Sequence, residues 1–124
     1  MPNNENRFSW GARAKSFEYA WSGLRIVLQK EHNTWIHLAL TLLAVLFGIL
    51  LHISRVEWMA LLIVMALVWI TEILNTCIEK IMDFVHPEYH PKVKIIKDMA
   101  AAAVLIMAIV AVIVGGLIFI PKLF

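Results

Sequence analysis

The stretch EWMALLIVMALVWITEILNTCIEKIMD, residues 57–83, joins an apolar run to a segment that carries three carboxylates. From Trp58 to Thr71 the chain has no charged residue, but these 14 residues are fewer than the roughly 20 that a helix needs to cross a bilayer. The run spans a membrane only if its helix continues through Glu72 towards Asp83. Such a helix would carry an acid inside the membrane, where charged side chains are costly and usually functional.

The composition indicates an integral membrane protein. Of 124 residues, 61% are hydrophobic and 16% are charged, which is more apolar side chain than a small soluble domain can bury. The length predicts a single domain over residues 1–124. A net charge of only +2 argues against nucleic acid as a partner, and the lone Cys77 excludes an internal disulfide.

Two further segments are long and apolar enough to cross a bilayer. Residues 34–53 and 99–120 contain no charged side chain, and each has about the 20 residues that a membrane helix needs. Together with a central helix over 58–83, they predict three transmembrane helices. Residues 83–98 contain Pro87 and Pro91 and are predicted to form the loop between the last two spans.

The N-terminal region is predicted to form a helix of a different kind, over residues 10–30. Apolar side chains recur at helical spacing along one face, and basic and acidic side chains occupy much of the rest. This pattern is typical of an amphipathic helix that lies on a membrane surface. The apolar positions are Phe17, Trp21, Leu24 and Leu28.

The distribution of basic residues predicts the orientation in the membrane. Lysines and arginines are concentrated before the first span and around the loop after the second, whereas only Arg55 follows the first span and only Lys122 the third. The positive-inside rule then predicts that the N-terminus and the second loop face the cytoplasm. The carboxylates of residues 72–83 would lie at the cytoplasmic end of the second span.

On a helix these carboxylates form one polar face. At about 100° per residue, Glu79 and Asp83 each fall within about 20° of Glu72, and Asn75 within about 60°. Asp83 alone could be a solvated charge at a helix end. Glu72 follows directly on the apolar run and would lie too deep in the span for that interpretation, so this face is the candidate functional site.

Such a face suits phosphate chemistry. Mg²⁺ is usually held by one or two carboxylates together with water and phosphate oxygens, and a partly desolvated carboxylate can act as a general base. Phosphoryl transfer requires these parts. The residues alone leave two classes open, a lipid-modifying enzyme and a membrane carrier or non-catalytic subunit. A carrier would more often have internal repeats and discontinuous helices, and neither is visible in the sequence.

Three segments point to a known family: EILNTCIE (72–79), PEYHP (87–91) and KDMAAAAVL (97–105). In this order and spacing they resemble the small bacterial integral-membrane lipid kinases, which comprise diacylglycerol kinase and undecaprenol kinase. The resemblance extends from about Phe17 to Ile120. It implies an all-α homotrimeric bundle in the bacterial cytoplasmic membrane, with three transmembrane helices and a surface helix per subunit. It also implies ATP as co-substrate, Mg²⁺ as cofactor, and active sites shared between subunits.

The resemblance assigns the lipid side of the reaction to the deep end of the carboxylate face. Glu72, the first glutamate of the motif, is the expected general base for the lipid hydroxyl, and Asn75 is the motif's asparagine. Trp69, one helical turn deeper, is a candidate for the entry path of the lipid. Packing against neighbouring helices is an equally good interpretation of Trp69.

The resemblance assigns the nucleotide side to the shallow end. Glu79 and Glu31, the latter at the end of the surface helix, are expected to bind Mg²⁺ and with it the nucleotide. Lys97 is expected to contact nucleotide phosphate, with Asp83 nearby in the nucleotide site. Asp98 is expected mainly to cap the third membrane helix.

Within the family, the resemblance favours undecaprenol as the substrate. The segments HPEYHPKVKIIKDMAAAAVL (86–105) and KSFEYAWSGL (15–24) look more like undecaprenol kinases than like diacylglycerol kinases. The expected product is undecaprenyl phosphate. Diacylglycerol, which would give phosphatidic acid, stays open, because both lipids present a hydroxyl at the interface and a tail in the bilayer.

Overall fold

The computed structural model describes residues 8–30 and 32–124. Within these residues the chain is helical, and its elements are α1 (Trp10–Lys30), α2 (His32–Leu50), α3 (Arg55–Val85) and α4 (Pro91–Leu123). The last three helices are each long and apolar enough to cross a membrane. This confirms the predicted all-α class and the three predicted spans. The homotrimer and the surface position of α1 stay predictions.

The chain divides into two compact units at the junction of His32 and Asn33. The first unit contains α1, which covers the predicted range 10–30. Phe17 and Trp21, two members of its predicted apolar face, are largely exposed. Glu31, a predicted metal ligand, lies outside the described residues.

In the second unit, α2 ends in a turn that stops the helix three residues before the predicted end at residue 53. His52 has a positive φ of 51°, and its N–H donates to the carbonyl of Ile49 (3.3 Å) while that of Ile53 donates to Gly48 (3.2 Å). This pair of backbone hydrogen bonds is the Schellman motif, which closes a helix with one residue in the left-handed conformation. Glycine usually occupies that position, so the sequence did not indicate the turn.

The next helix starts with a capping box, three residues before the predicted start at Trp58. The Ser54 hydroxyl accepts from the Glu57 N–H (3.2 Å), and the Glu57 carboxylate accepts from the Ser54 N–H (3.1 Å). Such caps contribute about 1 kcal/mol. Lys122 of α4 lies 3.3 Å from the same Glu57 carboxylate, so this end of α3 is joined to the end of α4.

α3 runs without a break through the apolar run and the carboxylate segment. Its 31 residues correspond to about 46 Å of helix, longer than the roughly 30 Å hydrocarbon core of a bilayer. It packs along α4. A small core near its start contains the buried side chains of Ile53, Leu61 and Ile118, with Trp58 packed against them. Because α3 continues through Glu72 to Val85, the apolar run of residues 58–71 belongs to a helix that is long enough to cross a bilayer.

α4 begins eight residues earlier than predicted, at Pro91. His90 caps it, with its side chain accepting from the N–H of Lys92 (3.0 Å). Proline is favoured in the first turn of a helix, where its missing N–H is not needed, so Pro91 starts the helix instead of prolonging the loop. The prediction that Asp98 caps this helix is wrong, because Asp98 lies two turns inside and pairs with Lys94 (2.6 Å).

Candidate active site

Glu72 is buried on the face of α3 that is turned towards α2. Its side chain is only 8% exposed, and its Oε2 lies 3.3 Å from Nε2 of His37. A carboxylate removed from water is destabilising unless it is paired or hydrogen-bonded. His37 supplies that partner from the neighbouring helix. The acid that the sequence singled out thus lies within ion-pair distance of a residue on another helix.

A second polar contact lies one turn away from the first. The indole N–H of Trp69 donates to the Thr41 hydroxyl (2.9 Å), and that hydroxyl donates to the backbone carbonyl of His37 (2.7 Å). The rings of His37 and Trp69 meet edge to face with their centroids 6.4 Å apart. Trp69 is therefore packed between two helices, and its predicted contact with the lipid stays a prediction.

An apolar cleft of about 260 Å³ opens beside this polar cluster. Residues of α2, α3 and α4 line it, and almost all of its surface is hydrocarbon. His37 and Thr41 are the polar members of the lining, so the cleft begins where the contacts to Glu72 and Trp69 lie. Its apolar members include Leu40, Ala44, Val64, Val68, Ala108 and Phe119.

Asn75 and Glu79 form a second polar group one to two turns further along α3. The Asn75 side-chain N–H donates to Oε1 of Glu79 (3.4 Å). The other end of the Asn75 amide, Oδ1, is buried and has no hydrogen-bond partner among the described residues. A buried polar atom without a partner is costly, so this oxygen is a candidate contact for a water, an ion or a ligand.

Asp83 and Lys97 form the third polar group, at the end of α3 that follows the apolar run. Lys97 Nζ lies 2.5 Å from Oδ1 of Asp83, and this pair connects α3 with α4. The Asp83 side chain is 64% exposed and that of Lys97 34%, so both can meet a soluble ligand. Glu72 and Asp83 are about 16 Å apart along the helix axis, and Asn75 and Glu79 lie between them.

The side-chain oxygen atoms of Asn75 and Glu79 suit a magnesium ion better than a softer metal. Within residues 8–30 and 32–124, no three His, Cys, Asp or Glu side chains lie close enough together to hold a metal ion. Mg²⁺ does not need such a cage, because one or two carboxylates with water and phosphate oxygens suffice. The Glu79 carboxylate and the unpaired Asn75 Oδ1 are hard oxygen donors of this kind.

Two residues of the site were missed at the level of the sequence, His37 and Thr41. The only signal was His37 itself, an ionisable side chain inside a first span that carries no formal charge. Ionisable residues within membrane segments are functional candidates by default. Because histidine is neutral in the formal charge at pH 7, His37 leaves that span formally uncharged. Thr41 gave no signal, because a threonine in a membrane helix is common.

Comparison with known proteins places the chain in a family. The family model for prokaryotic diacylglycerol kinase matches residues 18–119. The chain belongs to the prokaryotic diacylglycerol kinase family. All the site residues discussed above fall within the matched range. As a member of this lipid kinase family, the chain is a lipid kinase, and kinase chemistry implies ATP as the phosphate donor.

The relatives of this chain in the prokaryotic diacylglycerol kinase family are named either undecaprenol kinase or diacylglycerol kinase. An undecaprenol kinase of Bacillus subtilis is 36% identical over 99% of this chain and 100% of that protein. A diacylglycerol kinase of Synechocystis is 40% identical over 87% of this chain and 62% of its own length. A diacylglycerol kinase of Escherichia coli K12 is 38% identical over 91% of each chain. The predicted family resemblance is thereby confirmed.

Proposed function

We propose that this lipid kinase transfers the γ-phosphoryl group of Mg-ATP to undecaprenol and produces undecaprenyl phosphate. The observation that carries the proposal is the buried Glu72 beside the apolar cleft, with the polar pairs Asn75–Glu79 and Asp83–Lys97 further along the helix. Full-length similarity to an undecaprenol kinase supports this substrate. Diacylglycerol, named in the other relatives, is the second candidate.

The deep end of the site suits the lipid. A hydrocarbon chain could lie in the cleft lined by Val68 and Leu40, with Trp69 beside it and its hydroxyl next to Glu72. Glu72 would accept the hydroxyl proton as the lipid oxygen forms its bond to the γ-phosphorus. The bond from that phosphorus to the β,γ-bridging oxygen breaks, and ADP leaves with the electron pair. Glu72 is the expected base because its side chain is shielded from water.

The shallow end suits the nucleotide. Glu79 would hold Mg²⁺, with Glu31 as the second carboxylate, and the free Asn75 Oδ1 could accept a hydrogen bond from the lipid hydroxyl or a metal-bound water. Magnesium bound there would neutralise charge on the phosphate oxygens. Lys97 would contact a phosphate and Asp83 would hold the lysine ready for it. The excess of basic residues near this end supports a cytoplasmic active site.

An assay of the purified protein tests the substrate. With Mg-ATP present, we expect ADP release only when a lipid alcohol is added, and faster with undecaprenol than with diacylglycerol at equal mole fraction in mixed micelles. A higher rate with diacylglycerol would make that lipid the substrate. ATP left intact with both lipids would favour the carrier or the non-catalytic subunit.

A second proposal is that the chain acts as a homotrimer with active sites shared between subunits. Three spans and one surface helix offer one chain little enclosure for two substrates. If Glu72 and Glu31 in one site come from different subunits, mixing an inactive Glu72→Gln chain with an inactive Glu31→Gln chain should restore part of the activity. Crosslinking should reveal trimers. Mixed oligomers that stay inactive would indicate that each site is built from one chain.

A further inference from the structure

Two polar contacts join α2 to α3 on consecutive turns. His37 meets Glu72 at 3.3 Å, and Thr41 meets Trp69 at 2.9 Å. His37 and Thr41 are four residues apart on α2, and Trp69 and Glu72 are three apart on α3. Residues at these spacings lie on one face of a helix, so the two helices present matching pairs. Glu72 therefore takes part in one of two neighbouring side-chain contacts between these helices.

The imidazole of His37 has little freedom in this arrangement. Its edge-to-face contact with Trp69 restrains one side, and the hydrogen bond to Thr41 restrains the indole in turn. A histidine ring nitrogen can donate a hydrogen bond and a carboxylate oxygen can accept one, so Nε2 of His37 and Oε2 of Glu72 are complementary groups at 3.3 Å. The contact occupies one carboxylate oxygen and leaves Oε1 for the substrate hydroxyl.

We propose that His37 is a positioning residue that holds the Glu72 carboxylate in the orientation needed for proton abstraction; this rests on the proposed role of Glu72 as the base. A glutamate side chain has several rotatable bonds, and a reacting base must stay within hydrogen-bond reach of the proton it takes. His37 also lines the apolar cleft. It thus sets the base at the place where the cleft would deliver a lipid headgroup.

Two substitutions at His37 separate positioning from packing. His37→Leu fills much of the same space but removes the ring nitrogen, so kcat should fall about 10- to 100-fold, the range expected when a hydrogen bond to a charged group is lost. The KM for Mg-ATP should not change, because Glu79 lies about two turns away from Glu72. His37→Gln keeps a side-chain N–H of similar reach and should retain most of kcat. His52→Asn, at an exposed histidine near the other end of α2, is the matched control.

A double-mutant cycle tests whether His37 acts through Glu72. If it does, adding His37→Leu to a Glu72→Gln enzyme should lower kcat little further. Equal losses in His37→Leu and His37→Gln, or a full additional loss in the double variant, would overturn the inference. A Glu72→Gln enzyme with near-normal kcat would instead overturn the proposed base. A Glu72→Gln enzyme that fails while His37→Leu stays normal would overturn only the role of His37.

Discussion

Replacing Glu72 with glutamine should lower kcat by roughly 10²–10⁴-fold, the usual contribution of a general base. Glutamine keeps the size of the side chain and can still accept a hydrogen bond from His37, so the fold and the contact at 3.3 Å should survive. The side chain loses its negative charge and with it the ability to take a proton. Initial rates of lipid phosphate formation at saturating Mg-ATP and lipid measure the effect.

Binding measurements distinguish the loss of the base from damage to the nucleotide site. In Glu72→Gln, the affinity for Mg-ATP should stay close to that of the wild type, because Glu72 lies deeper than Glu79 along α3. Glu88→Gln, which makes the same change on an exposed loop, should leave both kcat and binding unchanged. If kcat falls only together with nucleotide affinity, Glu72 belongs to the metal site and another group takes the proton.

The spans could be predicted because they depend on properties that the sequence displays directly. A long apolar run predicts a membrane helix whatever surrounds it, and the spacing of Glu72, Asn75 and Glu79 needs only a helix of regular pitch. The ends of the helices were harder to predict from the sequence. They depend on caps such as Ser54 with Glu57 and on the left-handed His52, which contribute about 1 kcal/mol or less and leave faint signals in a sequence.

The start of α4 shows how one residue type can mislead. A proline between two spans was interpreted as part of a loop, although the same ring is favoured at the first position of a helix. With Pro91 inside the helix, Lys97 moves from a helix end into its second turn. There it faces α3 closely enough to pair with Asp83. The sequence motif alone could not indicate that these two candidates meet.

The side-chain contacts of the candidate site residues were the hardest feature to predict from the sequence. Glu72 was evident from its depth, but its contact with His37 joins residues 35 positions apart and depends on how α2 packs against α3. Neither the period of a helix nor the composition carries that information. The unpaired Oδ1 of Asn75 is likewise a property of packing. Both features matter for the proposed chemistry, because they concern the orientation of the proposed base and the place where a ligand could bind.

Replacing Glu79 with glutamine should raise the Mg²⁺ concentration for half-maximal rate by about 10-fold or more. Removing a residue that only supports a metal ligand typically lowers metal affinity or activity about 10- to 100-fold, and Glu79 is the proposed ligand itself. The amide would also lose the charge that attracts the cation, while its contact with Asn75 at 3.4 Å could persist. Glu31→Gln should act in the same direction if both carboxylates hold one ion.

Magnesium titrations at fixed free ATP separate this effect from that of Glu72→Gln. Excess Mg²⁺ should restore much of the rate in Glu79→Gln, because binding is weakened while the base is intact, but it should not restore Glu72→Gln. Glu88→Gln serves again as the control for charge. A Glu79→Gln enzyme with the Mg²⁺ dependence of the wild type would remove Glu79 from the metal site, and the free Asn75 Oδ1 would then need another ligand to explain it.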